Sequence, residues 1–137
     1  MNSHFDLTDD LYEQQFANCQ LDPALFNHEA HLRLAWIHVT KYGVDKAIEN
    51  VSNQLFSYVV SLGAINKYNK TLTVAAVKAV NHFIQRSATG NFSDFIQQFS
   101  RLKFNFKELM AFHYEVDIYN SEAAKQNYLE PDLLPFS

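Results

Sequence analysis

The chain has 137 residues, 47% of them hydrophobic and 19% charged, with a net charge of -4; this is room for one domain with a continuous apolar core, and it excludes a disordered chain. Its 11 Lys and Arg are scattered, so no basic face follows a phosphate backbone and nucleic acid is not an expected partner. The single cysteine, Cys19, excludes an internal disulfide and a cysteine-rich zinc cluster, while an acidic, polar N-terminus and the lack of any long apolar run predict a cytoplasmic protein without a membrane partner.

Only 3 Gly and 3 Pro punctuate the sequence, and apolar residues recur at three- and four-residue steps. Strands alternate instead, so the expected fold class is all-α, a single helical domain over 1–137. The expected architecture is a compact bundle of about four longer helices plus two or three short ones.

The first helix starts near Thr8, an N-cap followed by two acids, and presents Tyr12, Phe16 and Cys19 on one face. Asp22-Pro23 then opens a short helical turn. A second helix spans about Asn27 to Tyr42, with Asn27 as its cap and Gly43 as its stop. On a helical wheel Glu29, Arg33, Thr40 and Lys41 face water, whereas His28, His31, Leu32, Ala35, Val39 and Tyr42 form an inward arc.

The third helix, about Asp45 to Leu62, carries an apolar stripe from Ile48 through Val51, Leu55 and Tyr58 to Leu62, and Gly63 ends it. A fourth follows from about Thr71 to Ala88. Ser93 is the expected cap of a short helix with Phe95, Ile96 and Phe99, and another helix places Phe106, Leu109, Met110 and His113 at helical spacing. A last short helix lies near Ser121 to Tyr128, before an apolar end, Leu133-Leu134-Pro135-Phe136, that should pack back onto the bundle.

The most chemical feature is His28-x-x-His31, because residues three apart on a helix are neighbours and two imidazoles there can converge on one ligand. A zinc site needs a third ligand, and His113 on the apolar side of its helix is the best remote donor. The candidate metal set is therefore His28, His31 and His113, for a divalent transition metal such as zinc. The spacing is not that of the thermolysin-type motif, whose histidines stand four apart. The competing reading keeps the same histidines as internal hydrogen-bonding groups.

Tyr68-Asn69-Lys70-Thr71-Leu72-Thr73 gathers a phenol, an amide and hydroxyls at a helix start, where an anion or a polar ligand can be held. With the histidines it gives a candidate ligand site of His28, His31, Tyr68, Asn69 and Thr71. The plain alternative is that Asn69 or Thr71 caps the helix while Tyr68 packs. His4, in a terminus expected to fray, His38 and His82 are assigned no role. No phosphate-binding glycine loop, nucleophile elbow or dinucleotide fingerprint is present.

The run Phe26-Asn27-His28-Glu29-Ala30-His31-Leu32 resembles the hallmark of a family of small, helical, functionally uncharacterised bacterial proteins. Tyr68-Asn69-Lys70-Thr71-Leu72-Thr73 is similar to that family's Tyr-His-x-Thr-x-Thr stretch, and Glu130-Pro131-Asp132-Leu133-Leu134-Pro135 resembles its C-terminal signature. The resemblance implies a site around His28, His31, Tyr68 and Thr71. It also implies two missing contributors, since Asn69 stands where the family has a third histidine and Ala17 about where it has an acid.

Two functional classes follow. The first is a small-molecule or metal-binding protein with a pocket around the inward histidine pair, in which the imidazoles ligate or transfer protons. The second is a non-catalytic interaction or dimerisation module, a homodimer included, with structural histidines and a filled interior. A pH sensor built on the pair is a third, because two adjacent imidazoles resist double protonation.

Overall fold

The computed structural model describes residues 2–136, and among them every regular element is helical. The longer helices are α1 (Asp9–Ala17), α2 (His28–Tyr42), α3 (Val44–Ser61) and α4 (Lys70–Ile84). Four short ones follow: α5 (Phe92–Gln98), α6 (Arg101–Phe104), α7 (Phe106–His113) and α8 (Glu122–Gln126). No described helix is long and apolar enough to cross a membrane.

The caps act as the sequence suggested for the first two helices. Thr8 Oγ1 accepts from Leu11 N at α1, and Asn27 Oδ1 accepts from Ala30 N at 2.8 Å to start α2. Gly43 ends α2 and begins α3 with no intervening loop, at φ 86°, a backbone region in which side chains are strained. Two starts fall one or two residues earlier than expected, because Asn69 caps α4 and Asn91, not Ser93, caps α5. Helix α4 also stops sooner, at Ile84. Cys19 lies beyond the end of α1, half-buried at φ 58°.

Helices α2, α3 and α4 each pack against the other two and form the centre of the bundle. Helix α1 lies on α2 and α3, α5 and α6 lie against α2, and α8 covers α4. Enclosed in this way, α2 buries all of Leu32 to Val39, and its two-faced reading fails at Arg33 and Tyr42. Arg33, expected in solvent, is 5% exposed, and Tyr42, expected inside, is 43% exposed with its hydroxyl donating to Glu13 Oε2.

Arg33 reaches this position because the N-terminal segment folds over it. Its guanidinium donates to His4 O (2.6 Å), Leu7 O (2.9 Å) and Asp9 Oδ1 (2.8 Å), and it lies over the rings of Phe5 and Tyr12. The planar fork meets several oxygens that a lysine could not reach together. His4 is 1% exposed as a result, so the terminus does not fray there. Its Nδ1 accepts from Arg33, and its Nε2 donates to Glu29 Oε1 at 2.8 Å.

The C-terminal end packs back, although not through all of its apolar residues. Phe136 stacks on His113 with ring centroids 4.0 Å apart and is 6% exposed, whereas Leu133 and Leu134 stay half exposed. Truncating the buried guanidinium would strand the carbonyls it serves, so Arg33→Ala should lose about 3 kcal/mol of stability, and Arg33→Lys should recover little of it. Urea denaturation at neutral pH measures both.

Candidate functional site

A cleft of about 680 Å³ opens where the N-terminal end of α2 meets α3, α4 and the α6–α7 corner. This volume is in the range of small-molecule sites. His28 and His31 form one wall from the first turn of α2, since residues three apart share a helix face. Helix α3 contributes Leu55, Tyr58 and Val59, with Leu62 just past its end, all on one helical face. Leu72 and Ala76 of α4 complete an apolar floor, while Phe104, Phe106 and Tyr119 close the opposite side.

The two histidines differ. His28 is exposed, and its Nε2 donates to Leu102 O at 2.9 Å, which fixes the proton of the neutral ring on Nε2 and leaves Nδ1 as the acceptor. Its ring meets Phe106 edge-on at 5.1 Å. The expectation that both rings face fully inward therefore holds only for His31. That ring packs against Phe26, and its Nε2 is buried without a hydrogen-bond partner. Burial, together with the neighbouring His28, pushes the His31 pKa down to about 4, so it is neutral at physiological pH.

Tyr68 and Asn69 also line the cleft, but their polar groups are engaged in the fold. The Tyr68 hydroxyl donates to Ser52 O (3.2 Å); Asn69 Oδ1 accepts from Leu72 N, and its Nδ2 donates to Ile118 O (2.8 Å). Asn69 is thus the α4 cap and a tie to the segment before α8. Burial raises the pKa of Tyr58, of Tyr68 and of Tyr119, so these phenols face the cleft uncharged.

Thr71 is not at the cleft. It is fully buried, with Oγ1 donating to Asn127 O (2.7 Å) and accepting from Leu129 N (3.0 Å). Its hydroxyl fixes the chain that follows α8 to the first turn of α4.

His113 does not join the histidine pair either. Its Nδ1 donates to Leu134 O at 2.8 Å and its ring lies on Phe136, at the C-terminal joint. Among the described residues no group of three or more His, Cys, Asp or Glu is placed to hold a metal ion. The proposed set of His28, His31 and His113 is corrected on that geometry: a catalytic zinc needs three converging donors, and this wall offers two, one of them already donating to a carbonyl. Nor does a carboxylate hydrogen-bond either imidazole among the described residues, so no orienting acid supports a general base.

The sequence reading missed the cations. Lys67, Lys103 and Lys107 line the same cleft, with none of the acidic residues beside them in the lining. Lys103 pairs through Nζ with Glu29 Oε2 at 2.8 Å, and Lys107 sits over the Tyr119 ring. Burial favours a protonated Glu29, but the bonds from Lys103 and His4 outweigh it and hold the pKa of the Glu29 carboxyl below its ordinary value. The available signal was the run Lys103-Phe104-Asn105-Phe106-Lys107, where cations alternate with rings across the α6–α7 corner.

No family model, curated protein or solved structure matches this chain. The functional reading rests on the cleft alone.

Two outcomes follow from these placements. Thr71→Val keeps the shape but removes both hydroxyl bonds, and should cost about 1–3 kcal/mol in chemical denaturation while leaving ligand affinity of the cleft unchanged. For His31 the sign is set by a folded pKa of about 4 below the ordinary 6.5. Between those values the unfolded chain takes up a proton that the folded chain resists, so stability is full above 6.5 and falls as the pH drops towards 4. Burial shifts His4 and His38 the same way, so His31→Gln should reduce that fall in urea titrations without abolishing it.

Proposed function

We propose that this protein binds a small molecule in the cleft walled by His28 and His31, and that it does so without a metal ion. The observation that carries the reading is an apolar cleft of about 680 Å³ beside a buried imidazole nitrogen, His31 Nε2, that the protein leaves unpartnered. A buried polar atom without a partner costs about 1–3 kcal/mol, and a polar group brought by a ligand would relieve that cost.

The walls suit an occupant with a flat or branched apolar body. Phe26, Tyr58, Phe104, Phe106 and Tyr119 offer ring faces and edges, and Leu55, Leu62 and Leu72 offer aliphatic surface. Phe104, 72% exposed at the rim, is the large apolar residue with most to gain from being covered. The imidazoles supply a few directional hydrogen bonds in a mostly apolar space, which is how such sites orient a ligand. Membership in the helical family that the His-x-x-His motif resembles belongs to the same proposal, with His28 and His31 as the shared wall.

The neutral fluorescent probe N-phenyl-1-naphthylamine tests this directly. The native protein should bind it with a saturable rise in emission, and Leu72→Trp or Val59→Trp, each filling the cleft from a half-buried position, should abolish binding with thermal stability retained. Binding that survives both substitutions would place the probe elsewhere and refute the cleft as the site.

A further inference from the structure

We infer that the cleft selects organic anions, molecules with an apolar body and a carboxylate or comparable acidic head. This rests on the reading of the cleft as a small-molecule site and adds the charge of its ligand.

The chain carries 15 Asp and Glu against 11 Lys and Arg, yet three of its lysines and none of its acids line this one cleft. Three other cavities among the described residues mix the two signs. A groove between α3 and the C-terminal segment places Asp45 and Glu130 with Lys78, and one beside α8 places Glu122 with Lys125. The histidine cleft combines ring surface and cations with no lining carboxylate.

Its cations are not equivalent. Lys103 is neutralised by Glu29 at 2.8 Å and contributes little net charge. Lys67 is exposed and Lys107 is held over the Tyr119 ring, and neither forms an ion pair among the described residues. Asp117 lies close enough to Lys107 for each to feel the other's charge, and the two line a neighbouring groove together. Its carboxylate accepts from the Asn120 amide and from the backbone N–H groups of Tyr119 and Asn120, which hold it ionised, so it offsets part of the Lys107 charge. Lys67 and Lys107 are therefore the two ammonium groups that an incoming anion would meet.

The remaining polar groups agree with this polarity. An imidazole that stays neutral carries one N–H and no charge, so it can donate to a carboxylate oxygen, whereas a cationic head would meet ammonium groups and no lining carboxylate. Neutral phenols at Tyr58 and Tyr68 add no negative charge to oppose an anion. An apolar body in the ring-lined floor with an acidic head toward Lys67 and Lys107 satisfies both halves of the site.

The experiment compares three ligands of one body, decanoate, decanol and decylammonium, by displacement of N-phenyl-1-naphthylamine and by calorimetry, at low and at high salt. Decanoate should bind about tenfold more tightly than decanol at low salt, lose much of that advantage at high salt, and exceed decylammonium by more. Lys67→Gln with Lys107→Gln should remove the preference while decanol affinity persists, which separates lost charge from lost fold. Equal binding of decanoate and decanol, or tighter binding of decylammonium, overturns the anion selectivity and leaves the cleft reading standing. No binding of any of the three, with no probe displaced, overturns both.

Discussion

The constraint on which this structure depends is the enclosure of α2. Its neighbours α3 and α4, the short helices α5 and α6 and the N-terminal segment leave all of Leu32 to Val39 buried. A helix in that position must either be apolar all round or find internal partners for each polar side chain it carries. Arg33 finds three oxygens and two rings, and in doing so it orders the first residues of the chain. His31 finds no partner for Nε2, and it does so at the edge of the cleft that it helps to wall. The same enclosure thus produces the most satisfied polar group on the helix and one of the least satisfied.

A polar network on the outer side of α2 keeps that arrangement in register. Glu29 accepts from His4 and pairs with Lys103, which joins the N-terminal turn to the α6–α7 corner across the start of α2. Lys103 and Phe104 are neighbours in sequence, so the pair also positions the exposed ring at the rim of the cleft. The site is built on helix termini and corners, while the rigid interior of α2, α3 and α4 stands behind it. Such termini can adjust around a ligand at lower cost than packed helix centres can.

Two fates of motif-like residues explain why spacing alone misleads here. His28-x-x-His31 has one-face geometry, as residues three apart on a helix must, and both rings do reach the cleft. Tyr68 to Thr73 also reads as one unit, but the start of a helix rotates successive side chains in different directions. Tyr68, Asn69, Leu72 and Thr73 reach the cleft, while Thr71 turns toward Asn127 and Leu129. His113 had the right residue type and periodicity for a third ligand, yet its helix end meets the C-terminal segment instead. Periodicity assigns a face; it does not say what lies opposite.

By itself the sequence determined the class of fold, the Thr8 and Asn27 caps, the Gly43 break and the apolar stripe of α3, because caps, glycine conformation and helical period act over a few residues. It also located the His28 and His31 wall, since two positions on one helix share a face whatever surrounds them. Only the tertiary structure decided which side of α2 would be polar. A buried arginine is intelligible only once His4, Leu7 and Asp9, distant in sequence, are seen to supply its oxygens. The cationic lining was likewise decided there, because Lys67 precedes α4 while Lys103 and Lys107 belong to the α6–α7 corner, and they acquire a common surface only when α3, α4 and that corner close around one space.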